Sequence, residues 1–123
     1  MNKKILIVDD DPNILELLEV NLCSAGYDVY KATDGREGLC SVEENEPHAI
    51  VLDVMMPHVD GWELCKVLRD DPFFRDIKII LLTARDSERD KMIGKNILEA
   101  NEYMTKPFEV DELLKVLERL LNE

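Results

Sequence analysis

The chain has 123 residues, 46% hydrophobic and 34% charged, a composition that suits one globular domain with a real core and excludes a disordered segment. Its 27 acidic and 15 basic side chains give a formal net charge of -12, which argues against direct nucleic-acid binding and favours a cation or a basic protein as partner. No apolar run is long enough to span a membrane, and residues 5–8, behind Lys3 and Lys4, are too few for a signal-peptide core.

In chain order, residues 5–8 (Ile-Leu-Ile-Val) read as a short buried strand cut off by Asp9, Asp10 and Asp11. Asp11-Pro12 is an N-cap followed by proline at the first helical position. The helix it opens carries Ile14, Leu17, Leu18 and Leu22 at helical spacing and stops at Gly26. Residues 27–32 alternate, as a strand near the sheet edge does. Asp34-Gly35 opens a second helix with Leu39 and Val42 inward, closed by Glu46-Pro47. Residues 49–53 form a continuous apolar run ending on Asp53, the pattern of a strand covered on both faces. Asp60-Gly61 precedes a third helix with Leu64, Cys65 and Leu68 on one side, and Asp71-Pro72 ends it. Residues 77–82 are another buried strand, ending at Thr83. A weaker, polar fourth helix is expected over residues 87–98, interrupted by Gly94. A short strand over residues 102–105 ends at Lys106-Pro107, and Val110, Leu113, Leu114, Leu117 and Leu121 mark a last helix.

Strands and helices alternate five times without repeats or linkers. Right-handed crossovers then give an α/β fold, a doubly wound five-stranded parallel sheet with five helices on both faces, as one domain over residues 1–123 with no output domain in this chain. The three cysteines, Cys23, Cys40 and Cys65, each lie on an apolar stripe and are expected to be buried reduced thiols, which points to the cytoplasm. His48 and His58 stand apart from any cysteine, so no zinc site is expected.

Taken alone, Asp53 could be a turn cap. The strand ends decide otherwise. Asp9 and Asp10, Asp53, Thr83 and Lys106 close four of the five expected strands, and in a parallel sheet those ends share one edge, where open α/β sheets place their ligand crevice. Carboxylates gathered this closely call for a cation, and hard oxygen ligands suit Mg²⁺. The set describes phosphoryl handling: a carboxylate nucleophile, charge neutralisation by a metal and a lysine, and a hydroxyl donor. No candidate base for activating water accompanies them.

At these residues the chain closely resembles the receiver domain of two-component response regulators. The motifs are residues 7–11, Asp53-Val54-Met55-Met56-Pro57 followed by Asp60-Gly61, Leu82-Thr83-Ala84, and Tyr103 with Lys106-Pro107-Phe108. The resemblance implies a flavodoxin-like sheet of order 2-1-3-4-5. It implies that Asp53 accepts a phosphoryl group from a sensor histidine kinase or phosphotransfer protein, and that the protein is not a turnover enzyme. Asp10, Asp53 and the Met55 carbonyl would bind Mg²⁺, with Asp9 acting through water. Thr83 and Lys106 would contact phosphoryl oxygens, on a cis Lys106-Pro107 bond. Thr83, Ala84 and Tyr103 would form the switch, reshaping the face of the fourth helix, last strand and last helix for a downstream protein, an output domain, or a phosphorylation-dependent homodimer. Met55 and Arg85, at positions that tune hydrolysis in the family, imply slow self-dephosphorylation. The chain departs from the pattern at Glu99-Ala100, where the family reads Gly-Ala, and the stretch between Thr83 and Lys106 is one residue longer.

Three other readings compete. A haloacid-dehalogenase-type hydrolase needs an acid two residues after its nucleophile, and Met55 cannot transfer a proton. A flavodoxin needs a phosphate-cradling loop where this chain has three aspartates. A non-phosphorylated interaction module on the same fold would have no use for Asp10, Asp53, Thr83 and Lys106 together.

Overall fold

In the computed structural model, residues 2–53, 61–83 and 100–123 are described; of Gly61, Trp62 and Thr83 it is the backbone alone. The elements are β1 (Lys4–Val8), α1 (Pro12–Ser24), β2 (Asp28–Ala32), α2 (Gly35–Asn45), β3 (Ala49–Asp53), α3 (Gly61–Asp70), β4 (Lys78–Thr83), β5 (Glu102–Thr105) and α4 (Val110–Leu121). All neighbouring strands pair in parallel, in the order β2-β1-β3-β4-β5 expected from the sequence. Four helices are present among the described residues; the helix expected over 87–98 lies outside them.

The strands alternate their side chains between two cores. Leu6, Val8, Ile50, Leu52, Ile79 and Leu81 face one core with Val42 of α2 and Leu64, Cys65 and Leu68 of α3. Ile5, Ile7, Val51, Ile80 and Leu82 face the other with α1 and α4. Because β1, β3 and β4 are apolar on both faces, each must be covered on both, which is why the sheet is sandwiched rather than solvated on one side.

The local signals act as their chemistry requires. Asp11 caps α1, its carboxylate accepting from the Asn13 N–H at 2.9 Å, with Pro12 at the first helical position. Asp34 caps α2 by accepting from the Glu37 N–H at 2.8 Å. Gly26, at φ 95, makes the left-handed turn between α1 and β2 that a side chain would resist. Gly38 lets α2 close onto the sheet: a Cβ there would stand 3.1 Å from both Val8 and Leu64.

Helix phase differs from the sequence reading in places. On α1 the buried residues are Leu15, Leu18 and Leu22, while Leu17 is 45% exposed. On α4 they are Leu113, Leu117 and Leu120, with Leu114 and Leu121 at the margin of the core. Of the three cysteines only Cys65 is buried; Cys23 and Cys40 are exposed. The reason is rotational: one step along a helix turns a side chain by roughly 100°, so Cys23 beside buried Leu22 and Cys40 beside half-buried Leu39 swing off the covered face. For Cys65, burial pushes the thiol up to about 11 despite the nearby Arg69 charge, so it stays protonated and inert.

Candidate functional site

The site follows from strand register. Val8 pairs with Leu52, so the next step along both strands sets Asp9 beside Asp53, and the Asp9 N–H continues the ladder to the Ala32 carbonyl at 3.1 Å. On the other flank Asp53 pairs with Leu82, and Leu82 pairs with Met104. Lys106 lies just past that point, after β5, on a Lys106-Pro107 peptide bond that is cis. Four segments far apart in sequence thereby converge at the C-terminal edge of the sheet.

Asp9 and Asp53 are almost completely buried, at 0% and 3% exposure, whereas Asp10 is exposed. The Lys106 ammonium bridges the buried pair, donating to Asp9 Oδ2 at 2.9 Å and to Asp53 Oδ2 at 3.0 Å. The other Asp9 oxygen accepts the Asp11 N–H at 2.9 Å. The run of three aspartates is thus divided: Asp9 faces inward to the lysine, Asp10 faces solvent, and Asp11 is consumed as a helix cap.

Burial raises the Asp9 carboxyl above its ordinary value. The Asp11 N–H and the Lys106 ammonium oppose that rise, and the Asp53 charge adds to it. Burial acts on Lys106 in the lowering direction, but its hydrogen bonds and attraction to Asp9 and Asp53 prevail, so the ammonium is held charged above the ordinary lysine value. One ammonium facing three carboxylates leaves the edge net negative.

That imbalance fits a divalent cation. Asp9, Asp10 and Asp53 each offer a carboxylate oxygen, and the three oxygens lie within 4.8 Å of one another. Hard oxygen donors with one open, solvent-facing side suit Mg²⁺, which keeps part of its water shell.

Thr83 ends β4 in register with Thr105, so its backbone lies on the same edge, as expected. Met55 and Ala84 lie outside the described residues, as do Arg85 and Glu99. Tyr103 is buried at 8% exposure, its ring packed in the core with Ile79 and Leu81. Its hydroxyl is buried as well. The direct Asp9–Lys106 pair was also not anticipated. Sequence treated Asp9 as acting through water, and only the register that sets it beside Asp53 reveals the contact.

Comparison with known proteins agrees with this geometry. The profile of the response regulator receiver domain matches residues 5–118. The chain is 50% identical over 113 residues to the alkaline phosphatase synthesis transcriptional regulatory protein PhoP of Bacillus subtilis, covering 92% of this chain and 46% of that protein. It is 44% identical over 118 residues to the DNA-binding dual master transcriptional regulator RpaA of Synechocystis, covering 96% of this chain and 48% of that protein. The chain therefore spans about half the length of the curated relatives it matches. A solved structure of a putative response regulator from Chloroflexus aurantiacus superposes with a TM-score of 0.93 at 38% identity, each chain covered over 100% of its length. With its sheet order, its acidic edge and its bridging lysine, the chain belongs to the response regulator receiver domain family of two-component signalling.

Proposed function

We propose that Asp53 is the phosphoacceptor, that Asp9, Asp10 and Asp53 together with the Met55 carbonyl hold Mg²⁺, and that Lys106 and Thr83 receive the phosphoryl oxygens. One observation carries the reading: Lys106 Nζ lies 2.9 Å from Asp9 and 3.0 Å from Asp53, two buried carboxylates gathered at the C-terminal edge of the sheet. A carboxylate oxygen of Asp53 forms the bond to phosphorus as the bond from phosphorus to the donor's imidazole nitrogen breaks. The leaving imidazole keeps that electron pair and takes a proton from solvent. A carboxylate nucleophile brings its own electron pair, so no general base is required. The ammonium of Lys106, freed from one carboxylate partner, neutralises charge gained at the phosphoryl group. The bound cation, where present, offsets the remaining negative charge.

The phosphodonor in this reading is a sensor histidine kinase or a phosphotransfer protein. The response is a change at the face carrying β5 and α4, with Thr83, Ala84 and Tyr103 as switch residues, passed to an output domain, a downstream protein or a second copy of the chain. Two relatives are transcriptional regulators by name and about twice as long, which supports a DNA-binding output outside this segment. The charge of -12 supports a receiver that does not itself touch nucleic acid. No helix among the described residues is long and apolar enough to cross a membrane, and exposed Cys23 and Cys40 suit a reducing cytoplasm.

The test is intact-mass measurement after incubation with acetyl phosphate. Wild-type protein should gain one phosphoryl group with Mg²⁺ present and none with a chelator, and Asp53→Asn should gain none in either. A wild-type protein that never gains mass would return the chain to the class of non-phosphorylated interaction modules.

A further inference from the structure

β5 brings Lys106 to the site; it has four residues at the sheet edge, pairs with β4 alone among the described residues, and is tied to α4 by the Arg119–Glu102 contact at 2.6 Å. Slipping β5 along β4 would shift the ammonium by roughly 3.3 Å per residue, and a slip of one residue would exchange Tyr103 and Met104 between the two cores. The open end of this pairing carries a distinctive bracket. Asn101, the residue before β5, donates its backbone N–H to the Ile79 carbonyl at 2.9 Å, and its side-chain Oδ1 accepts the Ile79 N–H at 2.8 Å. A side-chain carbonyl thus stands in for the main-chain acceptor of the closing rung. The same Oδ1 accepts from Arg69 Nη2 at 2.6 Å, while Arg69 Nη1 donates to the carbonyls of Arg75 and Ile77, each at 2.8 Å. The rigid fork of a guanidinium can hold several carbonyls at fixed angles. Here it ties the last turn of α3, the approach to β4 and the entry to β5 into one unit.

We infer that Arg69 and Asn101 form a register clamp that positions Lys106 against Asp53 from the opposite end of β5. They are positioning residues and touch none of Asp9, Asp10 or Asp53. The consequence for phosphoryl acceptance rests on the function proposed above; the clamp itself does not.

The experiment compares wild type with Asn101→Ala, which loses the acceptor, Asn101→Asp, which keeps Oδ1, and Arg69→Lys, which keeps the charge but not the fork. Amide hydrogen exchange, the rate of phosphorylation by acetyl phosphate, and Mg²⁺ affinity by calorimetry are read on each. Asn101→Ala should speed exchange at β5 and Ile79 roughly tenfold relative to β1 and β3 amides. It should slow phosphorylation roughly tenfold while Mg²⁺ affinity does not fall, because the carboxylates stay in place and only the competing ammonium shifts. Arg69→Lys should show the same pattern more weakly, and Asn101→Asp should restore both readouts. Exchange rising equally in all strands, or β5 loosening with the phosphorylation rate intact, would overturn the clamp. A wild-type protein that accepts no phosphoryl group would sink the proposed function instead, leaving the exchange pattern to decide the clamp.

Discussion

The two ends of the same sheet use polar groups in opposite ways. At the N-terminal edge they bind backbone. The Lys4 N–H donates to His48 Nδ1 at 2.9 Å, the His48 N–H donates to the Lys4 carbonyl at 2.8 Å, and the Lys78 N–H donates to the His48 carbonyl at 3.1 Å. Lys4 Nζ reaches the Asn45 carbonyl at 3.0 Å, and Arg69 and Asn101 complete that edge. Each of these contacts satisfies a main-chain group left open at the start of a strand or, for Asn45, at the end of α2. At the C-terminal edge, Asp9, Asp53 and Lys106 bind chiefly one another, with a surplus of negative charge and an Asp9 carboxyl raised by its own burial. One edge is built to close the fold, and the other carries an electrostatic cost that a bound cation can relieve. Function collects where stability has not been maximised.

The contrast can be broken most sharply at Lys106. Lys106→Met leaves two buried carboxylates without the ammonium between them and should cost about 3–5 kcal/mol in urea unfolding without Mg²⁺. Added Mg²⁺ should recover part of that loss, since ligand binding to the folded state alone stabilises it. A variant whose stability does not rise at all with added Mg²⁺ would mean that the carboxylates do not form a cation site.

Asp9→Asn tests the sign at the same edge. A carboxyl raised above 3.8 contributes stability that is fully present below 3.8 and lost as pH rises through its folded value, so ionised Asp9 is a net cost at neutral pH. In Mg²⁺-free buffer the variant should therefore be more stable than wild type at pH 7, with the advantage shrinking as pH falls toward 3.8. Urea midpoints across that range check it. A variant weaker at every pH would place the Lys106 pairing above the burial cost.

The smallest effect is expected at the opposite edge. His48→Ala removes the acceptor of the Lys4 N–H, a loss of about 1 kcal/mol. Burial, and then the charges of Lys3 and Lys4, lower the His48 pKa from 6.5. Its contribution is accordingly present above 6.5 and lost as pH falls through the folded value. The gap between wild type and variant should narrow between pH 8 and pH 5 in urea melts. A gap that widens on acidification would show that the imidazolium is favoured there.

Much of the fold was legible because apolar strand runs and turn residues are local signals. The ends of β1, β3, β4 and β5 could be placed from Asp9, Asp53, Thr83 and Lys106, and a parallel sheet leaves them only one edge to share. Helix phase was not legible. Leu15 and Leu17, or Leu120 and Leu121, are equivalent in a hydropathy pattern, and the choice depends on where the sheet meets the helix. The same ambiguity misplaced Cys23 and Cys40, which are exposed beside buried Leu22 and half-buried Leu39.

By itself the sequence determined the element order, the sheet class and the residues at the functional edge, since each depends on contacts within a few positions or on a near-universal handedness rule. Tertiary structure alone decided what those residues do to one another. That Asp9 and Asp53 share Lys106, that Asp10 is left facing solvent, and that Asn101 closes the start of β5 follow from the registers of β1 on β3 and of β4 on β5. Register is set by both cores at once, because β1, β3 and β4 must each satisfy two buried faces, and no local stretch contains that information.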